Sequence, residues 1–231
     1  MIQTLHGNIH VIENFINKST ASFLEKCFSN EIKESLNPGI LAGPGHRATS
    51  DYDFMPGTKS LLLDGNEIYN TGIDILKLIN SEICNAISNF YDNKYSLRST
   101  FYSTMTAGSK NHMHMDNYFI DEDKNIKVRP GFEKDKSSLL YLNESYSGGE
   151  LYFPIQELYL KPKAGTLIFF EGNTKIPHSV TEVKSGYRTN IISFYSKRGH
   201  IDYNQDVSVQ DKHPISEEII EKIKEMNNVV R

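Results

Sequence analysis

A chain of 231 residues, 38% of them hydrophobic, is long enough to bury a core as one large domain, or as one domain with helical additions. Its 25 Lys and Arg are outweighed by 29 Asp and Glu, and no basic run stands out, which argues against a nucleic-acid partner held by electrostatic capture. The only cysteines, Cys27 and Cys84, fall in stretches of helical pattern and read as buried free thiols, which excludes a disulfide framework.

The opening, "MIQTLHGNIHVIENF", has neither a basic start nor a long apolar core, so no signal peptide is expected. No apolar run approaches the ~20 residues of a membrane helix. The expectation is a soluble, intracellular protein with no membrane partner. A short helix follows "INKST", with Phe23, Leu24, Cys27 and Phe28 on its apolar side. Residues 37–58 are rich in Gly, Pro and Asp and read as a long irregular loop, a candidate lid. Its His46 and Arg47 are candidates to touch substrate, although loop side chains are more often simply solvated. The stretch 71–92 repeats Ile75, Ile79, Ile83, Ile87 and Phe90 at helical spacing and is the clearest helix.

From residue 95 to 196 the period changes. Eight short β-rich segments, among them "LRSTFYSTM", "SSLLYLNE", "GTLIFF" and "RTNIISFY", alternate with turn signals and predict a sandwich or jelly roll. The tail "PISEEIIEKIKEMNNVV" predicts a capped amphipathic helix with acids in its first turn. The fold class is therefore mainly β with supporting α. Residues 1–94 supply N-terminal helices and the lid-like loop, 95–198 the β core, and 199–231 a C-terminal extension, all within a single domain.

Within "NHMHMDNY", His112, His114 and Asp116 occupy alternate positions, so a strand would project them from one face. His114 and Asp116 offer a nitrogen and an anionic oxygen, and His178, at a predicted strand start after Pro177, offers a third ligand. Two histidines and one carboxylate with open positions suit non-heme Fe(II) and oxygen chemistry. Alone, an HxD pair is common by chance. Arg188 changes that balance. The segment "HSVTEVKSGYRTNIISFY" reads as strand, Lys-Ser-Gly turn, strand, which offsets His178 and Arg188 by roughly 10 Å. A five-carbon dicarboxylate fits that gap, with one end on a metal and the other in the guanidinium fork.

With these residues in place, the chain resembles the 2-oxoglutarate- and Fe(II)-dependent dioxygenases, in their prolyl 4-hydroxylase-like branch. The landmarks are "GSKNHMHMD", "LLYLNESYSGGELYFP", "KPKAGTLIFFEGN" and "PHSVTEVKSGYRTNIISFY", in that order; "VIENFINKSTASFLEKCF" is similar to the strand and helix that open such domains. The resemblance implies a double-stranded β-helix (jelly roll), flanked here by N-terminal helices and a C-terminal helix. It puts His114, Asp116 and His178 on the iron ligands, Arg188 on the basic residue for the distal carboxylate of 2-oxoglutarate, and Tyr141 where a hydroxyl contacts that carboxylate. Asn190, two residues after Arg188 on the same strand face, is a further candidate for that contact. Met105, Thr104 and Asn111 stand where the family often has tyrosines, and Tyr102 lies slightly earlier.

The implied reaction consumes O2 and 2-oxoglutarate, releases succinate and CO2, and hydroxylates a C–H bond, with ascorbate as a possible reductant. The resemblance makes a peptidyl residue, prolyl by default, the expected substrate; a small molecule such as a free amino acid is the alternative. A nucleic-acid demethylase of the same superfamily would carry a second arginine where Phe194 stands. A non-catalytic cupin-like binding module is the alternative from another class. A cupin would use His112 with His114 and want a glutamate a few residues on, whereas the first, Glu122, lies eight beyond His114.

Overall fold

Unbroken apolar runs such as Leu139–Leu142 and Leu167–Phe170 satisfy the chain only in strands buried on both faces. The computed structural model builds its main sheet around them. It describes residues 1–31, 37–38, 46–48, 67–120, 126–128 and 135–197. In chain order the elements are β1 (Gln3–Leu5), β2 (Ile9–Ile12), α1 (Lys18–Glu31), β3 (Asn37–Pro38), β4 (His46–Ala48), α2 (Glu67–Phe90) and β5 (Tyr95–Thr106). There follow β6 (Asn111–His114), β7 (Tyr118–Ile120), β8 (Ile126–Val128), β9 (Lys136–Tyr141), β10 (Tyr146–Gly148) and β11 (Leu151–Phe153). The described chain ends with β12 (Leu158–Leu160), β13 (Leu167–Glu171), β14 (His178–Val180) and β15 (Val183–Lys197).

The larger sheet has nine strands in the order β1-β2-β13-β9-β15-β5-β4-β3, with β10 added beside β15. The smaller has four, β12-β11-β14-β6, and β7 pairs with β8 separately. Neighbouring strands run antiparallel. The two sheets face each other across Leu139, Ile168 and Phe170 on one side and Leu151, Phe153 and Val180 on the other. This is the expected jelly roll. On the outer face of the larger sheet, Leu140, Phe169, Ile191 and Tyr195 meet Leu24 and Phe28 of α1 and Leu76 and Ile83 of α2. The two helices therefore lie on the sheet face away from the inner space.

The first helix starts for a local reason. Asn17 caps α1 through its Oδ1, which accepts the Thr20 backbone N–H at 2.8 Å. Glu25 of α1 then accepts bonds from Asn143 and Thr189, each at 2.8 Å, and ties the helix to the sheet. Neither Cys27 nor Cys84 is in a disulfide, and no helix among the described residues is long and apolar enough to cross a membrane.

Some expectations change. Lys184-Ser185-Gly186 is not a turn between paired strands. It is the extended start of β15, held by β10 through the registers Tyr146↔Gly186 and Ser147↔Ser185. The chain instead breaks at Thr181–Glu182, between the last residue of β14 and the first of β15. Gly148 makes this approach possible, because a Cβ there would stand 2.0 Å from the Glu182 carbonyl oxygen. His178 and Arg188 consequently belong to different sheets and face each other, rather than following one hairpin. Within the stretch read as an irregular loop, β3 and β4 pair, and β4 pairs with β5; the His46 and Arg47 side chains lie outside the described residues, as does the tail expected to be helical.

Candidate metal centre

β6 and β14 are antiparallel neighbours, and the pairing sets His178 directly opposite His114. Two residues beyond His114 the chain turns Asp116 into the same space. Ligand atoms of His114, Asp116 and His178 lie within 4.8 Å of one another. His114 Nε2 is 3.7 Å from Asp116 Oδ1 and His178 Nε2 is 3.8 Å from Asp116 Oδ2. In the neutral tautomer that donates from Nδ1, each imidazole bonds a backbone carbonyl: His114 that of His112 at 2.7 Å, His178 that of Ile176 at 3.1 Å. Both bonds leave an Nε2 lone pair aimed at the carboxylate side, as a metal requires. Phe170 packs edge-on against the His178 ring at 4.9 Å, which keeps that side dry.

Asp116 is only 7% exposed. Its Oδ2 accepts a bond of 2.5 Å from Ser137 of β9, which comes from the opposite sheet and fixes the carboxylate plane. A buried carboxylate facing two imidazole nitrogens is costly without a cation and favourable with one. Two neutral nitrogens and one anionic oxygen, converging from one side, fit a divalent transition metal with open coordination positions.

Those positions face a cavity of about 170 Å³ lined by both sheets. Along its larger wall, alternate residues of β15 point inward: Arg188 beside Met105, Asn190 between Ser103 and Tyr141, Ile192 between Phe101 and Leu139, and Phe194 beside Ser137. Ser137 marks the Asp116 end, and Arg188 the other. Arg188 is 1% exposed. One Nη donates to the Tyr141 hydroxyl at 2.6 Å and the other reaches the Met105 sulfur at 3.7 Å. Its Nε has no partner, and none of the ion pairs found among the described residues includes it. A guanidinium so buried calls for an anion. The cavity thus ends in a metal donor set on one side and an uncompensated cation on the other, which suits a short, doubly anionic chelator.

His114, Asp116, His178, Arg188 and Tyr141 are all brought to this space. Asn190 is fully buried on the same wall, and neither atom of its amide finds a partner. His112 is exposed and stands outside the triad. Tyr102, by contrast, faces the helices, 5.5 Å from the Phe28 ring. Ser137 was not singled out from the sequence, although period 2 places it on the face of Leu139 and Tyr141, a polar residue in an apolar row.

Residues 100–196 match the family described as the 2OG-Fe(II) oxygenase superfamily. That match spans a little under half of the chain. Among curated proteins, the chain is similar to prolyl 3-hydroxylase 2 of Rattus norvegicus, with 32% identity over 92 residues, 36% of this chain and 13% of that one. Prolyl 3-hydroxylase 3 of Homo sapiens is 33% identical over 84 residues, 33% of this chain and 11% of that protein. The chain thus spans only a small part of the length of these relatives. Among solved structures, a Pseudomonas putida prolyl-4-hydroxylase aligns with a TM-score of 0.56 at 19% identity, covering 83% of this chain and 94% of that one. The viral collagen prolyl hydroxylase of Paramecium Bursaria Chlorella virus-1, in its 2OG complex, aligns at 0.56 and 21%, covering 81% and 94%. A Trichoplax adhaerens prolyl hydroxylase, in complex with a hypoxia inducible factor peptide fragment, aligns at 0.55 and 16%, covering 83% and 84%.

Proposed function

We propose that this protein is a 2-oxoglutarate- and Fe(II)-dependent dioxygenase that hydroxylates a peptidyl residue, prolyl before others, and releases succinate and CO2. The observation that carries this reading is the pairing of Arg188, buried without a counter-ion, with the His114–Asp116–His178 set at the far end of one cavity. Iron with 2-oxoglutarate and O2 supplies the oxidising chemistry when bound, and ascorbate serves as an accessory reductant. The protein's own part is positional. His114 and His178 are held in the tautomer that ligates through Nε2; Ser137 orients Asp116; Arg188 and Tyr141 anchor the distal carboxylate. Residues 95–198 would form the catalytic core, with 1–94 and 199–231 as its supports.

A peptidyl substrate is favoured over a free amino acid by the cavity lining. Among the described residues, the lining apart from the triad and Arg188 is apolar or uncharged, with Phe101, Phe194, Ile192 and Leu139 prominent, and offers no second charged clamp for an α-amino or α-carboxylate group. The relatives named prolyl hydroxylases support proline as the residue.

The test is succinate release with Fe(II), 2-oxoglutarate and ascorbate, across a panel of proline-containing peptides and free amino acids, with product mass read for a gain of one oxygen. Wild-type protein should form succinate and oxidise a peptide. His114→Ala, Asp116→Ala and His178→Ala should each lose both, by on the order of a hundredfold or more, exceeding the usual cost of losing an outer-shell partner. Wild-type-like turnover in all three variants would end the iron assignment; oxygen gained only by free amino acids would transfer the chemistry to a small molecule.

A further inference from the structure

Behind Arg188, which lines the distal end of the cavity, stands a group that the reading above does not use. Tyr146 opens β10, and its partner in register is Gly186, two residues before Arg188. The side chain is 5% exposed, and its hydroxyl oxygen is buried without a well-formed hydrogen bond, although the Arg188 guanidinium is near enough to act on it. A phenylalanine would fill an apolar slot without that cost, so an unsatisfied buried hydroxyl calls for an explanation.

Gly149 shows where the hydroxyl's ring lies. A Cβ built on it would stand 3.3 Å from Arg188 Cδ, 3.3 Å from Tyr146 Cδ2 and 3.0 Å from a Val183 methyl. The arginine stem and the tyrosine ring therefore flank one gap, which only glycine leaves open, at a φ of +65°. Burial, and next the neighbouring Tyr141, push the Tyr146 phenol above its ordinary pKa while Arg188 pulls against them, so it remains a neutral O–H donor.

The donors around this corner outnumber the acceptors. Arg188 Nε has no partner. Tyr141, whose oxygen already accepts from the guanidinium, still has its own proton to give. Tyr146 adds a third O–H or N–H source. Glu150, a carboxylate whose charge reaches Tyr146, is turned to the Thr181 hydroxyl, so among the described residues this corner still lacks an anion with several lone pairs.

Resting on the oxygenase reading, we propose that Tyr146 is a third donor to the distal carboxylate of the 2-oxo acid, alongside Arg188 and Tyr141, and that it helps select a dicarboxylate over a monocarboxylate. The inference concerns one hydroxyl, so Tyr146→Phe is the matching variant.

The full chain, loaded with Mn(II) under nitrogen, is titrated calorimetrically with 2-oxoglutarate and separately with 2-oxopentanoate, which has the same carbon count but no distal carboxylate. Tyr146→Phe should weaken 2-oxoglutarate about tenfold and leave 2-oxopentanoate, Mn(II) affinity and the thermal midpoint unchanged. An unchanged 2-oxoglutarate affinity would overturn the proposal, as would an equal loss for both acids, which would make the residue structural. Wild-type protein that binds neither acid would overturn the oxygenase reading itself, and this assignment with it.

Discussion

Two cations are buried on opposite faces of the same sheet, and they are treated differently. Lys136 faces outward from β9, 5% exposed, and meets Glu171 of β13 at 2.7 Å, directly across in register. The Tyr91 ring lies 3.6 Å from its Nζ. Arg188 faces inward from β15, more deeply buried, with a phenol and a thioether as its partners and no carboxylate. The outer charge is neutralised by the fold, so it is part of the packing. The inner one is left for something the chain does not contain. A buried charge on its own marks nothing; a buried charge without its counter-ion marks a binding site.

The contrast breaks down if the two faces respond alike to substitution. The largest effect is expected outside. Phe28→Ala removes a fully buried ring between α1 and the sheet and should cost ~3–5 kcal/mol in chemical denaturation. The affinity of the remaining folded protein for 2-oxoglutarate should stay as it was. Inside, Arg188→Met keeps the apolar volume and removes the charge. It should weaken 2-oxoglutarate binding by about one to two orders of magnitude, from ~1.5–3 kcal/mol per charge-assisted bond. Its unfolding midpoint should hold or rise, since no protein carboxylate is left unpaired. A midpoint loss as large as that of Phe28→Ala, with binding intact, would make Arg188 a structural residue.

The same division explains what the sequence discloses. "LLYL" and "LIFF" announce strands buried on both sides, because only such strands tolerate unbroken apolar runs. His114, Asp116, His178 and Arg188 are legible because their chemistry is unusual together. The Lys-Ser-Gly segment misleads, because its local turn preference yields to pairing with β10, a strand of three residues with little pattern of its own. Ser137 lay within reach of period-2 reasoning. Tyr146 did not: its hydroxyl becomes informative only once the fold has deprived it of partners. Groups defined by an absence of partners are invisible until the neighbours are known.

The smallest expected effect belongs to the outer face and appears only with pH. His10 of β2 is buried against Phe90 at 4.1 Å and Phe169 at 4.9 Å, with Nδ1 3.0 Å from the Thr4 hydroxyl. Burial, and next the charge of Lys136, lower its pKa from the ordinary 6.5 to about 4. Between those values the unfolded chain binds a proton that the folded one refuses. Its contribution is therefore complete above about pH 6.5 and is lost as pH falls toward 4. Across that window the thermal midpoint of wild-type protein should fall more steeply than that of His10→Phe, which keeps an aromatic ring and cannot titrate. Subtracting one profile from the other removes the carboxylates common to both. Parallel profiles would mean that the imidazole is protonated without penalty, and that the outer face, like the inner one, holds an ionisable group the packing has not accounted for.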